Sequence, residues 1–109
     1  MPQSYEILGQ VSPSPNTVTN VFVTGASSSA IVSTITLHNF SDSNTTYSLL
    51  VRPINEAEAR KHFIIRGGIL PARELITITG AVTMNSSAIL AANTGGSSVS
   101  INAYGVEIT

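Results

Sequence analysis

The sequence predicts an all-β protein: a β-sandwich of jelly-roll or Ig-like type, with about seven or eight short antiparallel strands and one short helical turn near residues 55–61. Three observations carry that expectation. Short runs rich in Val, Ile, Thr and Tyr alternate apolar with polar residues at period two, the pattern of a strand with one buried face. Clusters of Gly, Asn, Ser and Asp recur about every 8–12 residues, the spacing at which a sandwich turns its chain. Charge is concentrated in one stretch, where Arg52, Glu56, Glu58, Arg60, Lys61, Arg66, Arg73 and Glu74 lie, leaving only Glu6, Asp42 and Glu107 for the rest. The chain reads as two β-rich halves around a charged middle.

Taken in order, residues 1–17 carry Pro2, Pro13 and Pro15, and proline suits neither a helix interior nor a central strand. They predict an extended N-terminal arm whose apolar cluster, Tyr5, Ile7 and Leu8, docks on a neighbouring subunit, with a disordered tail as the alternative; one sandwich domain then spans 18–109. Val18–Val23 is a short strand, and Gly25–Ser28 has the chemistry of a hairpin turn. In the strand Ala30–His38, strict alternation puts Ile31, Ser33, Ile35 and Leu37 on one face and Ala30, Val32, Thr34, Thr36 and His38 on the other. A loop over 39–44 leads to Thr46–Arg52, where Tyr47, Leu49 and Val51 oppose Ser48, Leu50 and Arg52.

Asn55-Glu56-Ala57-Glu58 has the form of a helix cap with an acid three positions on, and Glu56 and Arg60 are spaced for an i,i+4 pair. His62–Ile65 reverts to strand, and Gly67-Gly68 is expected to end it. Leu75–Thr79 is a further strand with Ile76 and Ile78 on one face. Residues 80–85 are ambiguous, and the length of Ala88–Ala92 favours a strand. Asn93–Ser97 reads as a hairpin turn. The last strand, Ser98–Ile108, sets Val99, Ile101 and Ala103 against Ser100, Asn102 and Tyr104, with Gly105 as a bulge or a point of close approach.

The totals bound the function. At 109 residues the chain suits one domain able to bury roughly 65% of its unfolded surface. It is 42% hydrophobic and 10% charged, with a mean hydropathy of +0.26, so much of its surface is expected to be covered by copies or partners. A net charge of −1 and a pI near 6.0 give no basic footprint for nucleic acid. The absence of cysteine excludes a disulfide scaffold, a thiol nucleophile and a cysteine-based zinc site. No apolar run approaches the ~20 residues of a membrane-spanning helix. Residues 1–6 lack the basic start and apolar centre of a secretion signal, so export by that route is not expected.

Motifs that carry chemistry are missing. His38, His62, Asp42 and many serines supply a Ser-His-Asp inventory, but no serine sits on a Gly-x-Ser-x-Gly elbow. No His-x-His, His-Glu-x-x-His or EF-hand spacing occurs, so neither a metal nor another cofactor is expected. Glu56 and Glu58 at i,i+2 diverge and read as a solvated cap rather than a glycosidase pair. Gly95-Gly96-Ser97-Ser98 lacks the Gly-Lys-Ser/Thr of a phosphate loop. Arg52, Arg60, Lys61, Arg66 and Arg73 are left as candidate contacts to a neighbouring subunit.

Ile7-Leu8-Gly9-Gln10, Ser29-Ala30-Ile31-Val32-Ser33-Thr34-Ile35, Lys61-His62-Phe63-Ile64 and Gly105-Val106-Glu107-Ile108 together resemble a family of small structural proteins of tailed bacteriophages, common in cyanobacterial phages. The chain departs from that family where a Thr-Val-Pro turn often follows the first strand, reading Val23-Thr24-Gly25-Ala26 instead. The resemblance implies a non-enzymatic virion component, assembled in the host cytoplasm, whose partners are other virion proteins and copies of itself. An accessory on the tail, neck or baseplate is the favoured placement. Capsid decoration as a cement protein is the alternative, and a receptor- or carbohydrate-binding adhesin module that reads a host surface glycan is the competing class.

Overall fold

The computed structural model describes residues 5–96 and 98–108, which form eight strands in two antiparallel sheets. In chain order the strands are β1 (Tyr5–Val11), β2 (Thr19–Val23), β3 (Ser29–Asn39), β4 (Thr45–Pro53), β5 (Phe63–Leu70), β6 (Leu75–Met84), β7 (Ala88–Thr94) and β8 (Val99–Ile108), with a 3-10 turn at Arg60–His62. One sheet has the order β1-β8-β3-β6 and the other β2-β7-β4-β5. Each strand therefore pairs with its mirror in sequence: β1 with β8, β2 with β7, β3 with β6, β4 with β5. Two further pairings, β3 with β8 and β4 with β7, complete the sheets. A ribbon folded back on itself and wrapped into two layers is a jelly roll, which decides between the two sandwich types the sequence allows.

This order corrects several local expectations. β2 and β3 lie in different sheets, as do β7 and β8, so the turns after β2 and β7 cross between layers instead of closing hairpins. Turn chemistry fixes where a chain reverses but not which strand it pairs with afterwards. The segment expected as an extended arm docking on a neighbouring subunit pairs with β8 of its own chain over Tyr5–Val11, and its prolines Pro13 and Pro15 fall in the connection that follows; Pro2 lies outside the described residues. Gly67-Gly68 does not end β5, which runs on to Leu70. Nor does β6 stop at Thr79; it continues to Met84 past Gly80.

β3 departs from simple alternation. Val32 faces Gly105 and Thr34 faces Tyr104, so Ser33 is an extra residue on β3 relative to β8. A bulge of one residue inverts the phase of everything beyond it. Ala30 and Val32 point into the core before the bulge and Ile35 and Leu37 after it, while Ile31, expected inside, is 39% exposed. β4 and β8 contribute by the expected alternation, Tyr47 and Leu49 from the first and Val99, Ile101 and Ala103 from the second, and β7 adds Leu90 and Ala92; all are buried.

The two lateral sides of the sandwich differ. At one, β1 and β2 meet, and a side chain at Gly9 would run into the carbonyl of Val21. At the other, β5 and β6 scarcely touch. The inward residues there, Ile65, Ile76, Ile78 and Val82, pack on the core yet remain only partly buried.

Candidate functional site

The charged middle forms the connection between β4 and β5, and its geometry follows from one buried histidine. His62 N–H donates to the Ala59 carbonyl (3.1 Å), closing the 3-10 turn, and the Ala59 N–H donates back to His62 Nδ1 (3.0 Å). Because Nδ1 accepts, the ring proton of the neutral imidazole sits on Nε2, which donates to Glu56 Oε1 (3.2 Å). The same oxygen pairs with Lys61 Nζ at 3.1 Å. Upstream, Arg52 Nη1 donates to the Glu56 carbonyl (2.6 Å). The expected i,i+4 pair between Glu56 and Arg60 is not among the ion pairs of the described residues. The helical turn begins only at Arg60, so residues 56 and 60 never share a helix face.

Lys61 and then His62 hold the Glu56 carboxyl below its ordinary value of 4.5. A depressed acid contributes stability that is present above pH 4.5 and is lost as pH falls through the lowered folded value. The expected result is that Glu56→Gln lowers the melting temperature at pH 6 and that the difference from wild type closes on acidification below pH 4.5. Thermal melts of both proteins across that range check it; a gap independent of pH would remove the carboxylate from the account.

The connection also covers an apolar surface. Leu50, Ile89 and Ala91 point away from the main core, on the outer face of the β2-β7-β4-β5 sheet, yet are almost fully buried and pack with Phe63. The 3-10 turn lies against β4, and Arg66 stacks its guanidinium over Phe63 at 5.4 Å from the ring centre. Leu50 reads as solvent-facing from its alternation, and the pattern within β4 does not reveal that Phe63 and the outward residues of β7 bury it.

The candidate interface residues do not form one patch. Arg52, Arg60 and Lys61 gather at the β4–β5 connection and Arg66 follows on β5. Arg73 lies at the opposite end of the sandwich, where its guanidinium contacts Asp42 Oδ1 at 2.6 Å, both groups exposed. Ile7 is exposed on the other sheet, whereas Leu8 packs against the core and is partly buried. Tyr5 pairs through its backbone with Val106; its side chain lies outside the described residues. Asp42 is occupied by Arg73, His62 lies at the far end, and His38 sets its ring edge-on to Phe40 at 4.5 Å.

Two further surfaces stand out. The outer face of the β1-β8-β3-β6 sheet runs in cross-strand rows: Ile7, Tyr104, Thr34 and Thr79; Gln10, Asn102, Thr36 and Thr77; Ser100, His38 and Leu75; Val106, Ile31 and Thr83. No Asp, Glu, Lys or Arg stands in these rows, and Gln10 Nε2 donates to Asn102 Oδ1 at 2.8 Å across the first pair of strands. At the end of the sandwich bearing the β4–β5 connection, adjoining depressions of about 560 and 250 Å³ share Asn85 and Ser86. Ser27, Ser28 and Ser29 line the larger; Arg52 and Thr83 line the smaller. Their hydroxyl, amide and guanidinium groups equip them for hydrogen bonding to a polar ligand.

The protein thus belongs, by strand order, among the eight-stranded jelly rolls. No known protein-family model matches the chain, and no curated protein matches it.

Proposed function

We propose that the chain is a non-enzymatic structural component of a tailed-phage virion, an accessory protein that docks in multiple copies on the tail, neck or baseplate. The observation that supports this reading most is the uncharged outer face of the β1-β8-β3-β6 sheet, which spans all four strands with Thr, Ser, Asn and apolar side chains. A freely soluble domain normally carries interspersed charge on such a face, whereas a surface covered by neighbours does not need it. The jelly roll adds an argument by fold analogy alone, because capsid domains use it and so do lectins and cupins.

The expected result is that the chain co-purifies with intact particles and that reconstruction of those particles places jelly-roll density at the tail, neck or baseplate. Density on the head lattice would make it a cement protein instead, and absence from particles that remain infectious would remove the structural reading. A host-glycan adhesin is the competing class, favoured by the serine- and asparagine-lined depressions. Binding of the isolated protein to a glycan array, lost on Asn85→Ala, would support it over the scaffold.

A further inference from the structure

Resting on the reading of the chain as a component assembled in many copies, we propose that β6 is a strand-pairing site for β6 of a second copy, joining two sheets into one continuous sheet across a two-fold axis.

An open edge strand offers unpaired N–H and C=O groups, and proteins blunt such edges with charge, proline, bulges or cover. Three of the four edges here are blunted. β1 and β2 close on each other, and β1 carries a bulge between Ile7 and Gly9. β5 is broken by two register shifts against β4, by Gly67 at φ 71° and by Arg66. β6 is the least blunted: its one irregularity against β3 falls beyond Thr79, at Gly80 with φ 149°, it has neither charge nor proline, and its register is unbroken from Leu75 to Thr79.

The geometry selects the occupant. The Asn39 N–H donates to the Glu74 carbonyl (3.0 Å) while the Glu74 N–H turns back to the Pro71 carbonyl (3.2 Å), and that single bond sets the phase of the ladder. By the antiparallel alternation Ile76 and Ile78 then bond inward to β3, while Leu75, Thr77 and Thr79 direct both backbone groups outward. A second β6 laid antiparallel about Thr77 puts Thr77 opposite Thr77 and Leu75 opposite Thr79. Every outward group in this segment meets its complement. The same two-fold axis sets Ile76 against Ile78 on the core side, at the closer, non-hydrogen-bonded spacing. Those isoleucines line the open lateral side of the sandwich and are only partly buried in the single chain, so pairing would cover the gap between β5 and β6. An isologous contact of this kind is self-complementary, and with no charge on the strand it carries no repulsion at the axis.

The test uses the full chain. Sedimentation of the wild-type protein at about 100 μM, well above an ordinary micromolar dissociation constant, is expected to give a dimer. Thr77→Pro removes an outward N–H without touching the bonds to β3, so it is expected to halve the mass and leave the circular dichroism spectrum unchanged. Thr77→Cys, in a chain without other cysteines, is expected to form a disulfide-linked dimer on mild oxidation, since opposed residues of a hydrogen-bonded pair lie about 5.5 Å apart at Cα, within disulfide range. A monomeric wild type, or a dimer that Thr77→Pro leaves intact and Thr77→Cys does not cross-link, overturns the proposal. A monomer still incorporated into particles would overturn self-pairing while leaving the virion reading in place.

Discussion

Asn39→Asp is expected to destabilise the protein by about 3–5 kcal/mol at neutral pH, a large share of the stability of an ordinary small domain. Asn39 is fully buried at the end of β3 and ties two loops together. Its Nδ2 donates to the carbonyls of Ser43 (2.8 Å), Leu70 (3.2 Å) and Pro71 (3.2 Å). Its Oδ1 accepts from the Ser41 N–H (2.9 Å) and the Ser41 hydroxyl (2.8 Å). Aspartate has the same shape, but it replaces the only donor with an acceptor facing three carbonyl oxygens, so the substitution reverses an interaction instead of deleting it. Burial and that repulsion would raise the folded pKa of the introduced carboxyl above its unfolded value. The loss is then full above the raised value and shrinks as pH falls toward the unfolded one, where the carboxyl is neutral in both states. Urea unfolding at pH 7 and pH 4 checks both size and sign. A loss below about 1 kcal/mol at pH 7 would mean that the two loops are held by something else.

Gly105→Val is expected to cost about 3 kcal/mol or more, for steric reasons unrelated to backbone dihedrals. Gly105 lies opposite Val32, just before the bulge at Ser33, and a Cβ there would land on the Ile31 carbonyl and crowd the Val32 Cα. The obstruction is backbone in a strand held on both sides, by β8 and by β6, so no rotamer change can relieve it. Gly80 gives the contrast. Its φ of 149° disfavours other residues, but nothing lies within 4 Å of the position a Cβ would take, and Gly80→Ala is expected to cost only about 1 kcal/mol. Equal losses for the two variants in denaturant unfolding would show that close packing of β8 on β3 is not what excludes a side chain at 105.

Gly105 was legible in the sequence as a bulge or a close approach, and the structure gives the close approach, because an isolated glycine in an alternating strand has few other uses. The inward residues of β4 and β8 were legible from their strict alternation. β3 was not, since its inward set changes parity at Ser33 and the bulge depends on β8, a strand far away in sequence. Strand pairing was equally hidden: Gly25-Ala26-Ser27-Ser28 specifies a reversal, while tertiary packing decides that β2 joins one sheet and β3 the other. In the charged middle, the composition of Asn55–Arg60 pointed to a helical turn, but the turn forms at Arg60–His62 because the His62 ring supplies the acceptor for the Ala59 N–H. A histidine beside a lysine looks like surface. It is buried nonetheless, next to Phe63, which packs on Leu50, Ile89 and Ala91 from outside the segment.

The mirrored pairing of strands also orders the folding reaction. Only β4 and β5 are sequence neighbours that pair, and every other pairing must wait for a longer loop to close, the longest being that between β1 and β8. Each doubling of loop length costs about 0.6 kcal/mol of chain entropy, and all-β topologies dominated by such non-local pairs fold in roughly milliseconds to seconds. The hairpin that carries His62, Glu56 and the cover over Leu50 is thus the least costly place to begin. By loop length, β3 and β6 are then expected to pair before β1 and β8, which leaves β6 as an edge formed early; φ-values higher in β4 and β5 than in β1 and β8 would check that order.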